Sequence, residues 1–187
     1  TRLMASKIKV DQIQTADGTG TIALQNQLSG MTGVSMPTGS VLQVLHFAYG
    51  SDATTASSTY ADTGLTLNIT PSSTSSKILV SVSHPEVARV GSSAPSESRI
   101  GIKLMRDSTD LTLMCDNILE LIASTQNTNH SGWVAMAGPS ITYLDSPSST
   151  SALTYKTQFR NTTGNTNGVR IVSTGGDSRI TLMEIAG

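Results

Sequence analysis

Apolar and polar side chains alternate at period two through most of this chain, and that spacing decides what it can fold into. Leu65, Leu67 and Ile69 alternate with Thr66, Asn68 and Thr70; Ile100, Ile102 and Leu104 with Arg99, Gly101 and Lys103; Leu153, Tyr155 and Phe159 with Thr154, Lys156, Gln158 and Arg160. Successive side chains of an extended chain point to opposite faces, so each run reads as a strand with one wet face. Further strand candidates are Val41–Tyr49, Lys77–Ser83, Leu111–Cys115, Ile118–Thr125, Gly132–Ala137, Ile141–Leu144, Val169–Ser173 and Arg179–Ile185. Ile118 to Ile122 would allow a turn or two of helix, but no sustained 3.6-residue stripe occurs, which excludes a parallel α/β arrangement. Ser, Gly, Pro and Asn separate the runs at intervals that suit stacked antiparallel sheets. The expected fold is all-β: an antiparallel, jelly-roll-like β-sandwich over residues 40–187, carrying a short extended N-terminal arm over residues 1–39.

The arm has a different texture. Lys7 to Ile13 alternates at period two, Asp17-Gly18 makes a turn, and Thr21 to Leu24 forms a second short run. Two short strands cannot bury a core alone, so the apolar positions Ile8, Val10, Ile13, Ile22 and Leu24 need a partner. These five residues are the expected docking or oligomerisation contacts, made against other subunits or a platform. Gly30, Gly33, Pro37 and Gly39 then punctuate the chain before the first long strand.

At 187 residues the chain is long enough for one sizeable core, and its 37% hydrophobic content is concentrated in the patterned runs. Charged residues make up 13%, the net charge is −1, and 27 Ser and 26 Thr supply most of the polarity. Electrostatically driven nucleic-acid binding is not expected from such a balance. No run of 18 or more apolar residues is present, and no basic segment leading into an apolar stretch follows Met4, so neither membrane insertion nor signal-directed export is expected.

Catalytic and ligand chemistry finds little support. His46, His84 and His130 stand beside many serines, but no Gly-x-Ser-x-Gly elbow raises a nucleophile. His46 and His84 lie in strand-like runs and His130 in a polar loop, where hydrogen-bonded or surface histidines are ordinary. With a single cysteine, Cys115, there is no disulfide and no multi-Cys zinc site; no His-x-His or Asp-rich calcium loop occurs either. Gly18-Thr19-Gly20 lacks a third glycine and a following helix, so it is a turn and not a phosphate cradle. No catalytic residue, metal or cofactor is expected. Trp133, Tyr143 and Tyr155 are weighed as a sugar-stacking groove against bulky core members, and the core is favoured in a chain with 4% aromatics. Asp107, Asp110 and Asp116 are the nearest approach to a paired-carboxylate cleft, but they sit around the turn Arg106 to Asp110, where solvated loop acids are the default reading.

One phrase occurs twice, Pro71-Ser72-Ser73-Thr74-Ser75 and Pro147-Ser148-Ser149-Thr150-Ser151. Proline fixes φ at a corner and Ser or Thr hydroxyls bond nearby backbone, so both copies are expected to be the same hairpin turn, in preference to a ligand loop.

Ser6 to Gly18, Gly39 to Val44, Ile69 to Val80 and Leu144 to Ser151, with the closing Ile180 to Ile185, resemble the small tail-fibre-like or particle-surface proteins of marine and freshwater tailed bacteriophages. The resemblance spans most of the chain and rests on turn-and-strand phrases without a catalytic motif. It implies a non-enzymatic virion structural protein, made in the host cytoplasm and placed on the particle surface as a homo-oligomer, commonly a homotrimer. Its implied partners are further copies of itself and other virion proteins of capsid or tail. A short fibre-like appendage and a capsid decoration (cement) protein are both compatible; the alternative is a receptor-binding protein that binds or degrades host cell-surface glycan.

Overall fold

The computed structural model describes residues 36–90, 98–121, 135–163, 168–172 and 176–187. The arm positions Ile8, Val10, Ile13, Ile22 and Leu24, with His130 and Trp133, lie outside the described residues. The described residues contain strands and no helix: β1 (Val41–Tyr49), β2 (Ala53–Thr55), β3 (Ala61–Ile69), β4 (Lys77–Ser83), β5 (Glu86–Val90), β6 (Ser98–Arg106), β7 (Thr109–Leu121), β8 (Ala135–Ala137), β9 (Ser140–Asp145), β10 (Leu153–Asn161), β11 (Gly168–Val172) and β12 (Ser178–Ile185). All pair antiparallel.

Three ladders carry these strands, ordered β1-β12-β4-β9, β2-β11-β5-β8 and β3-β10-β6-β7. The first two repeat one order, because β1 runs into β2, β4 into β5, β8 into β9 and β11 into β12. They are the two halves of one four-stranded layer broken along a line. Glycine and proline mark that line: Gly50 after β1, Pro85 between β4 and β5, Gly138 and Pro139 between β8 and β9. Proline has no N–H to give a ladder, so the pairing stops there and each side turns its backbone groups to the neighbouring strand. His84 N–H donates to the Pro139 carbonyl (3.0 Å) and Gly138 N–H to the Pro85 carbonyl (3.2 Å). A Cβ on Gly138 would run into the His84 carbonyl, so backbone meets backbone at this corner.

Counting each broken pair as one strand, the described residues form eight long strands, and successive strands lie in different layers except at the β6–β7 hairpin. This is a jelly roll, the double Greek-key sandwich. The layer β3-β10-β6-β7 is the straight sheet; the other is the folded sheet. The β1 and β12 ends are clasped by Gly39 N–H to the Ala186 carbonyl (2.7 Å) and Ala186 N–H to the Ser40 carbonyl (2.8 Å).

Two apolar clusters fill the sandwich, one under each half of the folded sheet. Leu65, Ile69, Ile78, Val80, Val82, Leu104, Leu153, Tyr155, Ile180 and Leu182 form the first, Val87, Ile100, Ile102, Cys115, Phe159, Val169 and Ile171 the second. Each large side chain withdrawn from water stabilises by roughly 1.5–3 kcal/mol before entropy is charged against it. The inward positions of β10 are Leu153, Tyr155, Thr157, Phe159 and Asn161, all buried, which is the alternation read from the sequence.

Several local expectations change. Leu111–Cys115 and Ile118–Thr125 are not separate strands, since β7 runs without interruption through Leu121, and Ile118 to Leu121 is strand instead of helical turn. The repeated Pro-Ser-Ser-Thr-Ser phrases are not hairpins. The first joins β3 to β4 and the second β9 to β10, and in each case the two strands belong to different layers. Their turn chemistry is nonetheless shared: Ser75 N–H donates to Ser73 Oγ (3.2 Å) and Ser151 N–H to Ser149 Oγ (3.0 Å).

Candidate functional site

Charged and polar side chains in the interior of the described residues hold the sandwich together. At the level of the corner, Thr63 Oγ1 and Thr157 Oγ1 share a hydrogen bond of 2.7 Å on the straight sheet. On the folded sheet, His84 Nδ1 lies 2.8 Å from Ser178 Oγ. Both pairs fall between the two apolar clusters along their strands. His84 is 3% exposed, its Nε2 has no hydrogen-bond partner among the described residues, and burial holds its imidazole down to about 4. Sealed from solvent, this ring is out of reach of a substrate proton.

At one end, Arg106 Nη1 (2.6 Å) and the Tyr155 hydroxyl (2.6 Å) both donate to Asp145 Oδ2, tying β6 and β10 of one layer to β9 of the other. Burial and the Asp145 carboxylate push the Tyr155 phenol far above its ordinary range, so it stays a donor. Glu184, 1% exposed, accepts from Gln43 Nε2 (2.6 Å) and from both the N–H and Oγ–H of Ser72 (2.7 Å each). Burial alone would raise this carboxyl, but those donors hold it below its usual range. Glu184 thereby clamps the first Ser-rich turn onto β12.

The acidic cluster considered for a glycosidase cleft is dispersed. Asp107 sits in the β6–β7 turn at φ 52° and accepts from Thr154 N–H (2.9 Å). Asp110 pairs with Lys103 (2.8 Å) and Asp116 with Arg160 (3.3 Å). Asp110 lies opposite Met105 and Asp116 opposite Gly101, four residues apart on β6, or about 13 Å of strand, beyond the spacing of a catalytic carboxylate pair. Tyr155 and Tyr143 pack into the first core cluster and form no groove. Cys115 is buried, and desolvation pushes its thiol up, away from nucleophilic use. Among the described residues no group of three or more His, Cys, Asp or Glu is placed to hold a metal ion.

The chemistry that remains is on the two outer faces. On the straight sheet, Lys156 pairs with Asp62 (2.9 Å), Gln158 Nε2 donates to the same carboxylate (2.7 Å), and Tyr60 lies against Lys103 (4.3 Å to the ring centre) and Arg160 (4.7 Å). Slight burial works in the opposite direction, but Gln158 and Lys156 keep Asp62 below its ordinary value. Ion pairs dominate this face, with Leu113, 53% exposed, standing among them beside Lys103.

The folded sheet carries another surface on β1, β12, β4 and β9. Val44 is the register partner of Met183, Met183 of Leu79, and Leu79 of Leu144, so four apolar side chains form a row across all four strands. Val44 is 54% and Leu144 51% exposed, with Met183 and Leu79 half-buried between them. The next outward row is His46, Thr181, Ser81 and Thr142, all hydroxyls but one, with His46 Nδ1 lying 3.0 Å from Thr181 Oγ1. On the other side come half-exposed Val41, then Ile185 and Lys77. No carboxylate occupies these outward positions. Sequence reading missed this row because its members interrupt the alternation: Leu79 stands between Ile78 and Val80, and Met183 follows Leu182.

No protein-family model matches the chain, and no curated protein sequence matches it. Among solved structures, the chain is similar to a chain of the structure of infectious bursal disease virus Gx strain, at 12% identity and a TM-score of 0.37, over 88% of this chain and 41% of that one. It is also similar to the infectious bursal disease virus VP2 subviral particle, at 11% identity and a TM-score of 0.30, over 78% of this chain and 38% of that one. This chain therefore spans about two fifths of the length of those chains, and at such values the likeness adds nothing to the topology read from the strand order.

Proposed function

We propose that this protein is a non-enzymatic bacteriophage virion structural protein that works by assembly, as a homo-oligomer on the particle surface. The observation that carries the reading is the contrast between the two outer faces of the jelly roll, one largely ion-paired and the other crossed by an apolar row bordered on one side by hydroxyls. Contiguous exposed apolar surface on a folded domain marks a contact site. The sequence resemblance to tail-fibre-like and particle-surface proteins of tailed phages supports the setting, and jelly rolls serve as capsid and lectin domains, though a fold alone does not assign a function. Within that setting the chain acts as a short appendage or a capsid decoration protein, trimeric as the resemblance implies, with Ile8, Val10, Ile13, Ile22 and Leu24 of the arm as docking contacts.

The test is occupancy of particles. Virions purified from infected cells should contain the 19.5 kDa chain at stoichiometric copy number, with a β-rich density on the outside of head or tail in a reconstruction. Absence from purified virions would overturn the reading. Deleting residues 1–39 should abolish incorporation while leaving the sandwich folded; retained occupancy at lower avidity would shift docking from the arm to the sandwich.

A further inference from the structure

We infer that the apolar row of the folded sheet is a two-fold contact, and that its occupant is the same face of a second copy of this chain. The inference rests on reading that face as a contact surface, not on the virion setting. The register makes the face self-complementary. Consider a two-fold axis lying along the strands, midway between β12 and β4: it places β12 over the partner's β4 and β1 over the partner's β9. Each row then meets itself in reverse. Val44 faces Leu144 and Met183 faces Leu79, apolar on apolar in both directions. His46 meets Thr142, and Thr181 meets Ser81; a hydroxyl can donate or accept, so either order can be satisfied. An axis running along the rows does less well, because it sets the apolar row or its neighbours over hydroxyls.

Charge placement agrees. The outward cations of this face are Lys77 and Arg179, at opposite ends of adjacent strands. Under the strand-parallel axis Lys77 lies over Ile185 and Arg179 over Ser83 of the second copy, so no cation opposes a cation and no carboxylate is stranded. Area is sufficient as well. Four strands about 4.8 Å apart and about eight residues long at about 3.3 Å each present about 500 Å² per copy, or about 1,000 Å² for the pair. That reaches the lower bound of a specific interface, and an isologous contact of this kind closes on itself. Sheets so stacked pack about 10 Å apart with strands nearly aligned.

The experiment uses the full chain. Sedimentation equilibrium at about 20 μM should give an even-numbered assembly, two copies or a two-fold pair of larger rings, in the concentration range where standard-size interfaces hold. Val44→Lys with Leu144→Lys should halve that mass with an unchanged circular dichroism spectrum, because both positions are half-exposed. Leu113→Lys, 53% exposed on the other sheet, should leave the mass unchanged. Registry is read separately and does not depend on the lysine variant folding: a mixture of Val44→Cys and Leu144→Cys chains, treated with a bis-maleimide reagent spanning about 10 Å, should cross-link severalfold more than either variant alone. The native Cys115 is buried and serves as the unreactive background. A wild-type monomer or plain trimer, a mass indifferent to the lysines, or equal cross-linking in the mixture and the single variants would each overturn the two-fold contact. A plain trimer would do so while leaving the virion reading standing, and an even assembly never found on particles would sink the virion reading alone.

Discussion

The straight and folded sheets solve the same problem with different means. The straight sheet runs four long strands without a break and finishes its outer face with the Lys156–Asp62, Lys103–Asp110 and Arg160–Asp116 pairs. The folded sheet breaks every strand at the Gly-Pro corner and leaves Val44, Met183, Leu79 and Leu144 in a row. A face that satisfies its own charges needs nothing further. A face with apolar surface and no carboxylate gains free energy only when something covers it. The difference shows that equal strand content does not imply equal roles: one face is addressed to solvent, the other to a neighbour.

The largest expected effect separates the two backbones. Gly138→Ala in the folded sheet drives a Cβ into the His84 carbonyl, a wall of main chain that cannot step aside, and should cost about 3 kcal/mol or more in urea denaturation. Gly101→Ala in the straight sheet meets the Asp116 carboxylate at 2.7 Å, the end of a side chain that can swing away, and should cost about 1 kcal/mol. Equal costs would remove the corner as a special feature.

Acid should also strike the folded sheet first. The buried imidazole of His84 titrates near 4 when folded and near 6.5 when unfolded. A depressed histidine binds its proton only on unfolding, so stability is fully present above about pH 6.5 and falls as pH drops toward 4, by about 3 kcal/mol in total. Denaturation midpoints at pH 7 and 4.5 read this directly, and His84→Gln should flatten the slope in that window. Asp62 and Glu184, both held below their ordinary values of 3.8 and 4.5, begin to lose their contributions as pH falls through those values and finish losing them below.

The clasp between the sheets comes next. Asp145→Asn keeps the shape but removes the charge that Arg106 and Tyr155 share, and should destabilise by about 2 kcal/mol, measured at pH 7. The smallest effect belongs to the ionic lattice. Asp62→Asn should change stability by no more than about 1 kcal/mol, and 0.5 M salt should erase much of the difference, because Asp62 is 56% exposed and its pairs are screened. A larger loss would mean that the lattice stiffens the straight sheet beyond what exposed pairs supply.

Much of the sandwich was legible in single residues. Val41–Tyr49 and Lys77–Ser83 coincide with β1 and β4, and the alternation of Leu153, Tyr155 and Phe159 named the buried side of β10. Two strands were missed. Ala53–Thr55 is too short to show a period, and Glu86–Val90 follows directly on Pro85, which reads as an end. β7 was split because Asp116 and Asn117 interrupt its apolar run, whereas in the folded chain bulges against β6 absorb the interruption. The Pro-Ser-Ser-Thr-Ser phrases gave away their hydroxyl-to-backbone turns, but not that the strands on either side lie in different layers.

By itself the sequence determined most of the strands and most of the inward side chains, because those follow from period two and from residue chemistry within a few positions. Only the tertiary structure decided the strand order, the corner line and the outer row. Pairing joins residues as far apart as Val44 and Met183, and no local pattern encodes which strand will lie beside which. Alternation tells two faces of a strand apart but says nothing of how neighbouring strands align them. Val44, Met183, Leu79 and Leu144 do not read as one surface in the sequence until the register sets them side by side.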